Sequence, residues 1–208
     1  NQYGEGWFLC GEMAELLALD LVRKRVVTKQ IVLDIQFDRE SLSGDRGQQY
    51  RGAVARDYSG RRVPRPAHGT GNIDHYTSST QTMMKTMMAL YDHIVHPDLL
   101  IRRVNIAACN LIREEEIPEE KPTQLDFFSD FEAEEREKEV RRTAEKTERK
   151  LQQATLAIQD RYGKNALLKG MNFLEGGTTI ERNGQIGGHN AGKTGILPAE
   201  QQAVAKNH

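Results

Sequence analysis

The stretch Gln30-Ile31-Val32-Leu33-Asp34-Ile35-Gln36-Phe37-Asp38 decides the fold. Its side chains follow a period of two, with Ile31, Leu33, Ile35 and Phe37 on one side and Gln30, Asp34, Gln36 and Asp38 on the other. Successive side chains of a strand point to opposite faces of a sheet, so the alternation predicts a half-buried strand. We therefore expect a sheet that has one face in a core and the other face open.

Segments on both sides of this strand predict the rest of the domain. Residues 12–25 carry apolar side chains at i, i+3 and i+4 spacing, which predicts an amphipathic helix. Residues 68–76 and 100–111 predict two further strands, separated by a helix that ends near His93. The order is helix, strand, strand, helix, strand. One more strand before the first helix would complete a βαββαβ unit, and we expect that strand upstream of residue 1.

The second predicted helix carries a broad apolar face rich in methionine. Such a stripe at helical spacing is typical of core packing. We expect one core between this helix and the sheet. It is formed by Met84, Met87, Met88, Tyr91, Leu33, Ile35 and Ile106.

The composition of the chain indicates that only part of it is packed. Of its 208 residues 28% are charged and 38% hydrophobic, which is too polar for a chain packed throughout. We expect an α+β domain over 1–113, an acidic linker over 114–130, a long charged helix over 131–163 and a disordered tail over 164–208. The charged helix has a narrow apolar seam that suits one partner helix or a shallow groove. The seam consists of Val140, Ala144, Leu151, Ala154 and Ile158.

Charge and cysteine content exclude several classes of protein. With 29 basic and 30 acidic residues the chain is no bulk polycation, so nucleic-acid binding must come from local patches. Cys10 and Cys109 are far apart and lack metal-ligand spacing, which favours reduced thiols of a cytoplasmic protein and no metal site. No apolar stretch approaches the roughly 18 residues of a membrane span.

The linker contains the motif Gln124-Leu125-Asp126-Phe127-Phe128. It resembles the Gln-Leu-x-Leu-Phe peptide with which bacterial DNA-handling enzymes bind the ring-shaped sliding clamp. An extended peptide can place Leu125, Phe127 and Phe128 in an apolar pocket while Gln124 hydrogen-bonds at its mouth. The alternative is a hydrophobic staple that folds back before the helix at Phe131.

Six sequence runs, taken in order, carry a family resemblance. They are 18–22 (Ala-Leu-Asp-Leu-Val), 30–33 (Gln-Ile-Val-Leu), 68–80 (His-Gly-Thr to Tyr-Thr-Ser-Ser-Thr), 102–106 (Arg-Arg-Val-Asn-Ile), 124–128 and 181–189 (Glu-Arg-Asn-Gly-Gln-Ile-Gly-Gly-His). The chain resembles the C-terminal part of a Y-family translesion DNA polymerase. The branch is that of the polymerase V catalytic subunit and the ImpB/MucB/SamB repair proteins.

This resemblance implies a little finger, the βαββαβ module that holds template and primer beside the active site. It implies damaged-DNA binding and clamp docking during DNA repair, with DNA and the bacterial sliding clamp as partners. It does not imply catalysis here, because the palm carboxylates that hold two Mg²⁺ ions in the parent polymerase would precede residue 1. We expect no cofactor and no small-molecule substrate in this segment.

The predicted third strand supplies two candidate DNA contacts, Arg102 and Arg103. Adjacent strand residues point to opposite faces, so only one of them can lie on a face presented to DNA. Arg103 shares its side with Asn105 and is the better candidate, since alternation puts Arg102 on the apolar side. A twist at the strand end would turn either one outward.

Two further clusters are candidates for phosphate contacts. Thr77, Ser78 and Ser79 open the second helix, where backbone N–H groups and hydroxyls favour a phosphate. A plain helix cap explains them equally well. Arg61 and Arg62 lie beside a predicted turn at Ser59-Gly60. They are either phosphate contacts or a solvated charge cluster, and the sequence favours the two interpretations equally.

Residues 187–194 match the phosphate-binding pattern G-x-x-x-x-G-K-[ST]. A nucleotide site of this kind needs a buried strand before the loop and a helix after it. Here a polar, turn-like stretch precedes the pattern, while Gly195 and Pro198 follow it. A P-loop nucleotidase is thus the least favoured function, after DNA binding and after a non-catalytic interaction module with a helical arm.

Overall fold

The computed structural model describes residues 2–118, 131–167, 185–186 and 189–190. Within them the fold is α+β, as predicted. The helices are α1 (Gln2–Lys24), α2 (Gly44–Gln49), α3 (Thr80–Ile94) and α4 (Phe131–Tyr162). The strands are β1 (Val26–Phe37), β2 (Val54–Arg56), β3 (Arg62–Pro64), β4 (Ala67–Thr77), β5 (Ile101–Cys109), β6 (Ile112–Arg113), β7 (Gln185–Ile186) and β8 (His189–Asn190).

Strand β1 is the centre of the main sheet, whose order is β4-β1-β5. Both neighbours run antiparallel to β1, and β6 extends the pairing beside the start of β1. Along β1 the side chains of Ile31, Leu33 and Ile35 are fully buried, while Gln36 is exposed. This confirms the half-buried strand. The little-finger arrangement itself stays a prediction.

Helices α1 and α3 cover the buried face of the sheet. Met87 and Tyr91 of α3 are fully buried against Leu33 and Ile35, as predicted. Met84 and Ile106 pack against this core only partly buried, and Met88 is also only partly buried. The fully buried methionine that the predicted core omitted is Met83.

Helix α1 begins ten residues earlier than the apolar pattern predicted. Gly11, in this additional part, marks its close approach to α3. A Cβ atom added at Gly11 would lie 2.7 Å from Cε of Met88, which is inside van der Waals contact. The absence of a Cβ at Gly11 therefore leaves room for the end of the Met88 side chain, and the neighbouring Cys10 is completely buried.

The segment between β1 and β4 is more ordered than its polar, glycine-rich sequence indicated. It contains a 3₁₀ turn at Arg39–Leu42, the short helix α2 and the β2–β3 hairpin. The predicted turn at Ser59-Gly60 is confirmed, with Gly60 at φ 75° and its N–H donating to Asp57 O at 2.9 Å.

Helix α4 ends one residue before the predicted bound at 163, and it lies against the α1–α3–sheet domain. Leu156 packs with Leu19 and Val22 of α1 in a small separate cluster. The apolar seam of α4 is not the face that packs, because Val140 remains 70% exposed and Leu151 66% exposed. Helix α4 instead attaches mainly through polar side chains.

The tail was expected to be disordered over 164–208, and most of it lies outside the described residues. Within the described part, β7 and β8 pair as two short antiparallel strands. Among the helices that the structure describes, none combines the length and apolar character needed to cross a bilayer.

Candidate nucleic-acid interface

The face of the main sheet turned away from α1 and α3 is polar, and we call it the open face. Cross-strand pairs define it, among them Gln36 with Arg103, Asp34 with Asn105 and Asp34 with His68. The open face comprises Gln30, Val32, Asp34, Gln36, His68, Thr70, Asn72, Arg103, Asn105, Ala107 and Cys109.

Arg103 lies on the open face and is exposed, in the place that strand alternation predicted. Arg102 is exposed as well, because a register shift interrupts the pairing beside it. Gln36 pairs with Arg103 but the next pair joins Phe37 to Ile101, so Arg102 lies at the irregularity. Arg102 is thus exposed at the irregularity rather than paired in the ladder.

Hydrogen bonds between neighbouring strands order the open face. The Gln30 amide Nε2 donates to Asn72 Oδ1 at 3.1 Å, and Asn110 Nδ2 donates to Gln30 Oε1 at 3.3 Å. The carboxylate of Asp34 lies 2.5 Å from Nδ1 of His68. Amide, hydroxyl and guanidinium groups of this kind contact phosphate and sugar without selecting a base sequence.

The hydroxyl cluster Thr77, Ser78 and Ser79 lies elsewhere, at the start of α3. Ser79 is the N-cap, and its Oγ accepts a hydrogen bond from Thr82 N–H at 3.1 Å. The three residues are buried, at 4%, 8% and 6% exposure, because α4 crosses over them. The structure thus separates this cluster from the open face and covers it.

The acid groups of α4 contact the cluster directly. Glu148 receives hydrogen bonds on both oxygens, from the Ser79 hydroxyl at 2.5 Å and from Gln81 N–H at 3.0 Å. Glu145 accepts a hydrogen bond from the Thr77 hydroxyl at 3.0 Å. A carboxylate therefore stands where an anion is favoured by the free N–H groups and the dipole of a helix start.

Basic and amide side chains of α4 complete this contact. Arg149 donates to Oγ of Ser78 at 2.8 Å and also pairs with Glu114. Gln152 is 5% exposed, and its Nε2 lies 2.8 Å from the carbonyl oxygen of Ser78 and 2.9 Å from Oγ1 of Thr80. We did not predict this contact from the sequence. The signal available was the i, i+3, i+4, i+7 spacing of these side chains on one face of α4.

A charged cluster joins the end of β4 to α4. His75 lies with Nε2 2.8 Å from Oε1 of Glu145, and its Nδ1 bonds to Asp74, which also pairs with Arg141 at 2.9 Å. The bond to Glu145 and the bond to Asp74 raise the pKa of His75 against the opposing effect of burial. Burial alone would raise the pKa of Glu145, but the hydrogen bond and charge of His75 leave it lowered.

Arg61 and Arg62 lie on the β2–β3 hairpin, which is a separate two-stranded sheet. Arg61 Nη2 pairs with Oδ2 of Asp57 at 2.8 Å, whereas Arg62 opposes Arg56 across the hairpin. Both are exposed. They do not share the sheet of Arg103.

Several predicted features fall outside the described residues. The motif Gln124, Leu125, Phe127 and Phe128 is one, so its docking role stays a prediction. Of the P-loop-like pattern, only His189 and Asn190 are described, and they form β8. No group of three or more His, Cys, Asp and Glu side chains within the described ranges could hold a metal ion.

Comparison of the chain with protein-family models, with curated proteins and with solved structures finds no match. The resemblance to translesion polymerases therefore depends on the sequence runs quoted above. The structure itself shows two features: the open face bears the exposed Arg103, and the charged helix α4 covers the start of α3.

Proposed function

We propose that this chain binds primer–template DNA without sequence preference and docks on a bacterial sliding clamp, as the C-terminal region of a translesion polymerase. The observation that carries the DNA-binding part is the exposed Arg103 on the open face. It stands among amide and hydroxyl side chains in register across three strands. Contacts of this chemistry to the DNA backbone position a protein without reading the bases.

The charge of the open face supports this proposal. Its acidic residue, Asp34, is hydrogen-bonded to Nδ1 of His68, and the residue that faces Arg103 across the strands is the uncharged Gln36. Arg102 extends the basic edge at the neighbouring position. With the chain near neutral overall, a local patch of this kind is the form that DNA affinity would take.

Clamp docking rests on the sequence motif 124–128. It places an amide, a leucine and two aromatic rings in a short charged stretch directly before α4. A peptide of this composition binds through a few apolar anchors, and most of the affinity resides in them.

Titration of a fluorescent primer–template duplex at several salt concentrations tests the DNA-binding part. We expect affinity to fall linearly on a log–log plot, because phosphate contacts release counterions. Arg103→Ala should reduce the slope by about one. Lys85→Ala, which removes an exposed cation from the helical layer, is the matched control and should leave the slope unchanged. Equal slopes for Arg103→Ala and the parent chain would contradict the assignment.

A second candidate function is a non-catalytic interaction module. The exposed apolar seam of α4, including Val140 and Leu151, favours it. A seam at four-three spacing fits one partner helix. Absence of salt-dependent binding to primer–template DNA would favour this module over the first proposal.

A further inference from the structure

We infer that α4 is an intramolecular latch, which occupies the start of α3 in place of a DNA phosphate and so holds part of the DNA-binding surface closed. This inference rests on the proposed DNA binding and concerns its regulation. It assigns two states to the chain. In the closed state α4 covers Thr77, Ser78 and Ser79, and in the open state these groups can contact the DNA backbone.

The first support is the chemistry of Glu148. Its two oxygens accept one backbone N–H and one hydroxyl at the first turn of a 15-residue helix. These are the donors that a phosphate oxygen would use at the same place. The carboxylate and a phosphate therefore compete for the same hydrogen bonds, and both cannot be bound at once.

The second support is the completeness of the cover. Glu145, Arg149 and Gln152 each bond to Thr77 or Ser78, so α4 contacts all three residues of the hydroxyl cluster once Glu148 is included. Three adjacent hydroxyl residues below 10% exposure cannot contact a ligand in solution while α4 remains in place.

The third support is that the contact is largely polar. The apolar cluster between α4 and α1 has three residues, Leu156, Leu19 and Val22. Hydrogen bonds and ion pairs make up the rest of the contact. When α4 leaves, these groups bond to water or to phosphate instead, so the net free energy needed to break the polar contacts is modest. Segments with few buried apolar contacts are those that open locally at low free energy.

Two variants that change the charge of α4 in opposite directions test the latch. Glu145→Gln with Glu148→Gln removes two carboxylates that accept from the cluster. Gln152→Glu adds a carboxylate, which faces the carbonyl oxygen of Ser78 without a proton to donate. Both should release α4. Electrostatics alone would strengthen DNA binding in the first variant and weaken it in the second, whereas release strengthens it in both.

The matched control is Glu137→Gln with Glu139→Gln, which removes two exposed carboxylates of the same helix. Each chain is titrated with a primer–template duplex, and hydrogen exchange of the Gln81 amide reports whether α4 has left. Circular dichroism at rising temperature confirms that each variant is folded. We expect faster exchange at Gln81 and a dissociation constant about three- to tenfold lower in both release variants, since the competent fraction rises.

Each outcome decides the matter. Affinity that matches the control double variant, or that falls in the Gln152→Glu chain, overturns the latch, even when exchange at Gln81 is faster. Failure of the underlying function has a different signature. In that case the parent chain and both release variants show no salt-dependent binding of DNA, and Arg103→Ala does not weaken binding. The latch is then contradicted together with the proposed DNA binding.

Discussion

The imidazole of His75 lies between two carboxylates, with Nε2 2.8 Å from Oε1 of Glu145 on α4 and Nδ1 bonded to Asp74 on its own strand. Arg141 of α4 pairs with the same Asp74. The pair His75–Glu145 therefore ties α4 to the sheet through an imidazole whose pKa is raised by its two carboxylate partners.

The first prediction is that this tie weakens as the pH rises above 6.5. The pKa of His75 is raised above its ordinary 6.5, so its contribution to stability is fully present below 6.5 and is lost as pH rises through the raised value. The lowered pKa of Glu145 works in the other direction, since its contribution is present above 4.5 and lost as pH falls. Stability from the pair should be greatest between these two values.

The measurement is the free energy of unfolding by urea at a series of pH values. We expect the free energy of unfolding of the parent chain to decline as pH rises above 6.5, and that of His75→Gln to decline less. His96→Gln, at an exposed histidine, is the control and should follow the parent chain. If the free energy of unfolding depended on pH identically in His75→Gln and in the parent chain, the pH dependence would not come from His75.

The second prediction concerns the core of α3. Met87 is completely buried whereas Met88, one residue later, is only partly buried. Met87→Ala should therefore lower the free energy of unfolding by about 2–5 kcal/mol, through reduced transfer energy and a cavity. Met88→Ala should cost clearly less. Denaturant titration checks both, and equal destabilisation would contradict the burial.

The third prediction concerns the contact between β4 and α3. A Cβ atom at Gly71 would lie 2.6 Å from Cγ2 of Thr86 and 3.2 Å from Cγ1 of Ile31. Gly71→Ala should therefore cost about 1–3 kcal/mol through overpacking. Gly4→Ala is the contrast, because no atom lies within 4 Å of its added Cβ and alanine favours helix. Thermal unfolding should show a lower midpoint for the first variant and an equal or higher one for the second.

The fourth prediction concerns the motif in the linker. Leu125→Ala with Phe128→Ala should weaken binding to a purified bacterial sliding clamp by at least about 2 kcal/mol, because the apolar anchors carry most of the affinity. The parent chain should bind at roughly micromolar strength, near −8 kcal/mol. DNA binding should survive the double change. Equal clamp affinity in both chains would favour the hydrophobic staple instead.

The fifth prediction separates the hairpin from the open face. Adding Arg61→Ala and Arg62→Ala to Arg103→Ala should flatten the salt dependence further, by about one unit for each phosphate that these side chains neutralise. Arg61 is already paired with Asp57, so Arg62 should contribute more. A triple variant with the slope of Arg103→Ala alone would show that the hairpin does not contact DNA.

Alternating side chains made β1 predictable from the sequence. Ile31, Leu33 and Ile35 recur at every second position, and burial of one sheet face requires that period. The position of Arg103 on the open face followed from the same rule. Charge pairs and flanking residues likewise gave the bounds of α4.

Other features left no such pattern. The first ten residues of α1 contain three glycines, which favour a loop when read locally, and close packing at positions such as Gly11 overrides that preference. The face of α4 that packs is polar, so apolar periodicity pointed to Val140 and Leu151 instead. Contacts such as Glu148 with Gln81 depend on tertiary placement, which spacing within one helix does not specify.

The pairing of β1 has a consequence for folding. Its partners lie far along the chain, since Ile31 pairs with Gly71 of β4, 40 residues later, and with Ala108 of β5, 77 residues later. Long chain segments must be closed before either ladder gains its bonds, which slows folding compared with local pairing. During synthesis β1 therefore remains without its second partner until residues 101–109 emerge. The edge of β1 that later pairs with β5 is meanwhile open to pairing with other chains.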